Sequence, residues 1–404
     1  MNCDSPELRR FLDFGMQPNG NCFPWPDEKG AEPLFPFAMM VCRSCWQVQI
    51  EEFPSPEFMF SNHPYITGVN VPVVDYFHRM AAKVVERYAL KAGDLILDIG
   101  CNDGTLLGIF KQYGLETIGV DPGKRTGVLA KKAGIEVIGK FWGQEVAREF
   151  RLLGKRPRII TATSVFFHLQ DIHDFIRVVR EVMEQDTVFI VQCVYLKEVI
   201  EKNQFDHFYH EHTMIHAIAP LEALFERYGM RMLQVDYYDV HGGSFVLEVA
   251  RKESAYPARS SIREAIEEEA KCGLRQIETY EAFARRIALK RGKLLALLRR
   301  LRSEGRIIDA LGAPVKGSTL MNYCGIGPDL IRCAVEVNEF KIGRLTPGTH
   351  IPIVDEREAR NPPDYYLVLA WNFLDFFRKK YEGYLKKGGR FIVPHPEVHC
   401  VGIE

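Results

Sequence analysis

The chain predicts an α/β fold in which two mostly parallel, helix-covered sheets are joined by a helical linker and preceded by a small irregular module. Three observations predict it. From Val71 to about Lys252, short apolar runs alternate with helical patterns, and such alternation builds a parallel sheet covered on both faces. From Ile262 to Ser303 the chain is heavily charged, with Tyr280, Phe283, Ile287, Leu294, Leu298 and Leu301 near helical spacing. That is one or two long amphipathic helices bridging domains, since no heptad is sustained for a coiled coil. After Gly305 the alternation resumes. At 404 residues, 47% of them hydrophobic, the chain can form more than one core. The expected division is 1–68, 69–253, 254–305 and 306–404.

The first segment is rich in Pro, Phe and Cys, with little helical periodicity. Cys42 and Cys45 form C-x-x-C, with Cys3 and Cys22 upstream. A module poor in regular structure gains stability from tetrahedral zinc held by thiolates. Cys3, Cys42 and Cys45 are the expected ligands; free thiols are the alternative. A C-x-x-C partner for Cys3 would fall just before Met1; a truncated start and completion of the site by Cys22 are the two expectations, and the fourth ligand stays unassigned.

In the second segment the expected strands are Leu95–Ile99, Thr117–Val120, Arg158–Thr163, Thr187–Cys193 and Phe245–Arg251. In the last they are Ile307–Leu311, Cys333–Val337, Tyr365–Ala370 and Arg390–Pro394. Lys and Arg number 52 against 53 Asp and Glu, so no global field recruits nucleic acid or an anionic membrane. No apolar run is long enough for a bilayer, and Asp4 and Glu7 interrupt any secretory signal. A soluble, cytoplasmic protein is expected, monomeric or weakly dimeric, with thiols rather than disulfides.

Leu95–Leu107, L-I-L-D-I-G-C-N-D-G-T-L-L, is the most informative stretch. A strand ends in Asp98, a turn carries Gly100, Asn102 and Gly104, a helix begins near Thr105, and the next strand delivers Asp121. This Rossmann-like unit holds an adenosine nucleoside at the sheet edge, with the second acid on the ribose hydroxyls. G-x-G-x-x-G spacing is absent, so a pyrophosphate seat is not supported. An acid just before the first glycine suits the ammonium and sulfonium of S-adenosylmethionine instead.

Further candidates sit on loops after strands. Ser164 and His168 follow Arg158–Thr163 at the edge where ligands gather. Phe205–His212 reads F-D-H-F-Y-H-E-H, dense enough for a metal site or for a general base with an orienting acid. If extended, it places Tyr209 and Glu211 on one face and His210 and His212 on the other. His241-Gly242-Gly243-Ser244 opens a strand; its glycines permit close approach of a ligand or mark a bulge. Gly312–Thr319, G-A-P-V-K-G-S-T, is an anion cradle or a plain strand-to-helix turn. Trp371-Asn372 occupies a comparable edge.

In order, the cysteine module, L-D-I-G-C-N-D-G, S-V-F-F-H-L, F-D-H-F-Y-H-E-H, H-G-G-S, G-A-P-V-K-G-S-T-L-M-N-Y, P-G-T-H-I-P-I and L-A-W-N resemble a family of sugar C-methyltransferases. Those enzymes act at carbon 3 of nucleotide-linked 4-keto-6-deoxyhexoses. The resemblance runs nearly end to end and implies an N-terminal zinc module, a central S-adenosylmethionine domain and a C-terminal domain of similar fold that binds acceptor. It implies that His212 is the base removing the proton beside the ketone, with Glu211, Tyr209 and His168 around it. Tyr65, in H-P-Y-I-T-G, is implied to come in from the N-terminal region. Asp98, Gly100, Asn102, Gly104, Asp121 and Ser164 become the cofactor set. His241, Ser244, Lys316, Thr319, Asn322 and Asn372 become the acceptor set. The zinc would be structural, because enolate formation and methyl transfer need a base and no metal.

The sequence departs from the family at Ile215, where an aromatic residue is usual, at Val246, where a basic one is, and at Leu311, where a tyrosine is. These positions bear on the choice of sugar. An O- or N-methyltransferase and a non-catalytic cofactor-binding docking protein are the competing readings.

Overall fold

A computed structural model of the chain describes residues 1–60, 65–359 and 361–402, and these form three sheets. The N-terminal segment carries more regular structure than its composition suggests. Strands β1 (Leu8–Pro18), β2 (Leu34–Cys42) and β3 (Val48–Ile50) pair antiparallel, and Met214–Ile215 adds a fourth strand. Register shifts between Arg10 and Leu12 and between Asp13 and Gly15 break the alternation of β1. Its buried Phe11, Leu12 and Phe14 therefore do not follow a period of two.

The central sheet contains β4 (Leu95–Ile99), β5 (Glu116–Val120), β6 (Glu136–Ile138), β7 (Pro157–Thr163) and β8 (Val188–Val194). After β9 (Met214–Ile215, already placed), β10 (Met230–Tyr238) and β11 (Ser244–Arg251) complete it. The order is β10-β11-β8-β7-β4-β5-β6; the β8-β7-β4-β5-β6 pairs are parallel, and β11 runs antiparallel to both its neighbours. β4, β7 and β8 are almost wholly buried, which is why they read as continuous apolar runs. Strand order reverses around β4, opening a crevice beyond its C-terminal end.

The linker is helix Ser261–Lys271 followed by helix Ile277–Ser303, and all six apolar residues expected on its inner face are buried. Lys290 is buried among them. The C-terminal sheet contains β12 (Ile308–Leu311), β13 (Ala334–Glu336), β14 (Ile353–Asp355), β15 (Tyr365–Val368), β16 (Arg390–Val393) and β17 (His399–Val401). Its order is β14-β13-β12-β15-β16-β17, parallel except for β17. Strand order reverses around β12, so this sheet has a crevice of its own. Residues following β4, β5 and β7 and residues following β12, β13 and β15 line one cleft. Among the described residues, no helix is long and apolar enough to cross a membrane.

Candidate active site

The cleft measures about 1040 Å³, more than the roughly 300–1,000 Å³ that one small ligand occupies. On the central-sheet side, Gly100 turns the chain at φ 77, leaving no room for a side chain beside Val165. The Asp121 carboxylate is oriented by the backbone N–H groups of Asn102 (2.9 Å) and Gly123 (2.8 Å) and by the Thr126 hydroxyl (3.1 Å). Asp98 lies beneath the turn and accepts the Thr161 hydroxyl at 2.6 Å. Burial pushes its carboxyl up to about 7, the Thr161 bond opposes this, and nearby Asp121 adds to the rise. Ser164, at φ 57, donates to Gln192 (2.8 Å) and also lines the cleft.

Trp142 follows β6 and was not singled out from the sequence. Its indole N–H is buried with no partner among the described residues, on a side chain that lines the cleft. Carboxylates, a glycine turn and an unpaired indole donor suit a cationic adenosine ligand such as S-adenosylmethionine. Gly104 stands apart from the lining, behind the turn against Ala130 and Ile135.

The histidine-rich segment is not extended. Phe205–His207 is a 3₁₀ turn, and the His212 N–H closes a second turn onto the Tyr209 carbonyl (2.8 Å). His210 is therefore sent between Phe35 and Phe37, out of the lining, while Tyr209, Glu211 and His212 remain in it. His212 lies between the rings of Phe167 and Tyr209, at centroid distances of 4.2 and 3.8 Å. Its Nδ1 faces the His207 carbonyl at 2.7 Å. A carbonyl only accepts, so this contact assigns the proton to Nδ1 and the lone pair to Nε2. Burial holds the ring well below the usual imidazole range, helped by His168 and His207, so it is neutral.

The sequence suggested Glu211 as the orienting acid, but the tautomer is fixed by a main-chain carbonyl. The Glu211 carboxylate instead accepts from Asn21 Nδ2, at 2.8 and 3.0 Å. Its backbone carbonyl accepts His168 Nδ1–H (2.6 Å). Asn21 comes from the loop after β1, and nothing in the sequence marked it. Tyr65 lines the cleft beside them; His63 and Pro64 of its motif lie outside the described residues. Among the described residues this segment forms no metal-binding group.

The C-terminal domain contributes Lys316 and Asn372, whose side chains hydrogen-bond each other, and Lys341. Lys316 Nζ sits 3.9 Å from the Trp371 ring centroid. Burial lowers its ammonium to about 8, against the pull of Asp206. His241 lines the cleft as well, while the glycine after it gives way to the Trp371 ring, not to a ligand. Ser244, Thr319 and Asn322 lie outside the lining. Ser244 donates to the Val240 carbonyl, Thr319 is buried in its helix, and Asn322 donates to the Ser318 and Pro347 carbonyls.

Asp206 anchors the histidine segment to this domain. It accepts the Trp371 indole N–H at 2.6 Å and faces His395 Nε2 at 3.1 Å. Lys290 Nζ in turn meets His395 Nδ1 and the Asn203 carbonyl, each at 2.9 Å.

At the far end of the N-terminal sheet, the sulfurs of Cys3, Cys42 and Cys45 lie within 4.8 Å of one another, Cys3 and Cys42 at 3.6 Å. Thiolates about 2.3 Å from a tetrahedral zinc are separated by roughly 3.8 Å, so the three fit one ion. Cys22 is not in this group; it lines a smaller pocket with Glu28, Glu32 and Arg344.

Three family models match the chain. The "Putative zinc binding domain" covers 2–60, the "Methyltransferase domain" 74–235 and the "C-methyltransferase C-terminal domain" 239–396. C-methyltransferase NovU of Streptomyces niveus is 33% identical over 404 residues, which are 100% of this chain and 96% of that protein. The ubiquinone biosynthesis O-methyltransferase of Azorhizobium caulinodans is 32% identical over 103 residues, 24% of this chain and 40% of its own. Among solved structures, magnesium protoporphyrin IX methyltransferase of Synechocystis with bound SAM shows 16% identity over 45% of this chain and 81% of its own. The TM-score of that match is 0.35. The full-length relationship, together with the cofactor turn and the three-thiol group, establishes that this chain belongs to the S-adenosylmethionine-dependent C-methyltransferases with a zinc-binding domain.

Proposed function

We propose that the chain methylates the carbon next to the ketone, carbon 3, of a nucleotide-linked 4-keto-6-deoxy sugar, with His212 as the base. The observation that carries the reading is the neutral His212 ring, its Nδ1 proton held by the His207 carbonyl and its Nε2 lone pair left for a proton. Carbon is methylated only as a carbanion equivalent, so the acceptor must be acidified by an adjacent carbonyl and deprotonated in place. Nε2 takes the α-proton, and the C–H electron pair becomes the enolate. Tyr209 and Tyr65 line the same cleft and serve as candidate donors to its oxygen, whereas His168 spends its Nδ1 proton on the Glu211 carbonyl. Burial raises the Tyr209 phenol well above its usual range, which keeps it a donor.

Bound S-adenosylmethionine supplies a methyl cation equivalent, and Asp98, Asp121 and the Gly100 turn are the residues that would seat it. The cations Arg125, Lys316, Lys341 and Lys380 line the cleft and suit the diphosphate of a nucleotide-linked acceptor. An acceptor of this class fits a cytoplasmic enzyme. Glu211 is assigned to the acceptor site, held there by Asn21.

The test is incubation with methyl-labelled S-adenosylmethionine and a panel of nucleotide-linked 4-keto-6-deoxyhexoses, read by mass spectrometry. A product carrying the label on carbon 3 is expected, and an O-methylated product would overturn the reading. His212→Asn should lower turnover about a hundred-fold or more, with cofactor affinity nearly unchanged. In deuterated water without methyl donor, wild type should exchange the acceptor's α-proton and the variant should not.

A further inference from the structure

The cofactor turn and the segment carrying Tyr65 are joined by side chains that the turn itself supplies. Asn102 stands in the left-handed region at φ 50, and its backbone N–H is the one that braces Asp121. Its side chain is committed elsewhere. Oδ1 accepts the Thr67 N–H at 3.0 Å and the Thr67 hydroxyl at 3.2 Å, and Nδ2 donates to the Tyr65 carbonyl at 3.1 Å. Asp103 repeats the pattern, accepting the Gly68 N–H at 2.8 Å on one oxygen and the Thr105 hydroxyl at 2.6 Å on the other. A Cβ on Gly68 would sit 2.8 Å from Asp103 and 2.9 Å from Thr105, so the main chain lies directly against the turn.

We propose that Asn102 is a positioning residue and not a side-chain ligand of the cofactor. Its amide clasps the main chain at Tyr65–Thr67 and ties the placement of the Tyr65 phenol to the shape the turn adopts around the cofactor. One residue thus faces both ways, its backbone to Asp121 and its side chain to Tyr65 and Thr67. A ligand that stiffens the Asp121 side stiffens the clasp, and the effect is reciprocal. The consequence for catalysis rests on the reading of Tyr65 as an acceptor-site residue; the clasp itself does not.

Asn102→Gly separates the two roles. Glycine accepts the left-handed backbone and keeps the N–H to Asp121, while the amide is deleted. Hydrogen exchange of the peptide spanning residues 65–70 is followed with and without S-adenosylhomocysteine, and affinity for that ligand is measured by calorimetry. In wild type the ligand should slow exchange at the Thr67 amide several-fold. In Asn102→Gly, exchange should speed about ten-fold, the ligand should no longer slow it, and affinity should stay within about three-fold. Turnover at saturating S-adenosylmethionine should fall about ten-fold, and Asn102→Asp, which keeps the acceptor for Thr67, should restore part of it.

Unchanged exchange at Thr67 in the glycine variant would overturn the clasp. An affinity loss as large as the turnover loss would make Asn102 a cofactor ligand and overturn it as well. Wild-type turnover in Tyr65→Phe would instead remove Tyr65 from the acceptor site, and the exchange measurement would still decide the clasp.

Discussion

Asp98 is buried under the cofactor turn, and burial brings its carboxyl up to about 7. A ligand bearing an ammonium and a sulfonium favours the ionised form, so binding below that pH must expel a proton. Affinity for S-adenosylmethionine should be flat above pH 7 and weaken as pH falls, approaching ten-fold per unit. Calorimetry in buffers of different ionisation enthalpy should show proton release near pH 6, absent in Asp98→Asn. Unchanged affinity between pH 7.5 and 5.5 would mean that Asp98 stays ionised or is remote from the cation. At this scale the sequence was legible where chemistry is dense: Asp98, Asp121, His168, Glu211 and His212 all reach the cleft. It was blind to partners from distant segments. Asn21 meets Glu211 across 190 residues, and the carbonyl that orients His212 belongs to the main chain of His207, so no side-chain pattern encodes it. Ser244, Thr319 and Asn322 sit within motif stretches yet lie outside the cleft lining, because a motif fixes where an element runs and not each side chain's direction.

Elements were legible where apolar runs are long; β3, buried at every residue, and β10, nine residues and mostly buried, were still missed. β4, β7, β8 and β11 are long and buried on both faces, so their apolar runs announce them to within one or two residues. β3, β6 and β14 are three residues long, too short for any period to register, and β1 is bulged. The N-terminal strands converge on the three thiols to which the cysteine spacing pointed. Cys3 precedes β1, Cys42 ends β2, and Cys45 lies in the turn before β3. Zinc held by these thiols pins three strand ends with one ion, and such binding free energy is folding free energy. Protein purified without chelator should contain about one zinc per chain by elemental analysis. Cys42→Ser or strong chelation should loosen the N-terminal sheet, read as faster exchange in β2 and β3, and lower the melting temperature. Metal-free protein with unchanged melting and exchange would show the thiols to be bystanders.

Across the whole molecule, Asp206 is where three parts meet: the histidine segment, the linker helix through Lys290 and the C-terminal domain through Trp371 and His395. Burial alone would raise its carboxyl, but His395, Lys316 and His207 outweigh burial and hold it well below the usual range. A depressed carboxyl stabilises the fold above its unfolded pKa of roughly 4, and that contribution is lost as pH falls through the folded value. Asp206→Ala leaves the buried Trp371 indole N–H and His395 without their acceptor and should cost about 1–3 kcal/mol in denaturant titrations. Asp206→Asn should flatten the acid limb of stability against pH, and a loss below about 1 kcal/mol would show the network to be solvated. A different consequence follows from β9, the two-residue strand that closes the N-terminal sheet. Gln47 donates to the Ile215 carbonyl across 168 residues of chain. During synthesis at about 5–20 residues per second, β3 therefore waits on the order of ten to thirty seconds for its neighbour. Val48, Gln49 and Ile50, all buried in the finished protein, present an unpaired edge throughout that interval. The cysteines emerge long before β9 does, so metal capture at the β2–β3 turn precedes closure of the sheet. Zinc supplied during cell-free translation should therefore raise the soluble yield more than the same zinc added after synthesis, and equal yields would sever metal capture from closure of the sheet.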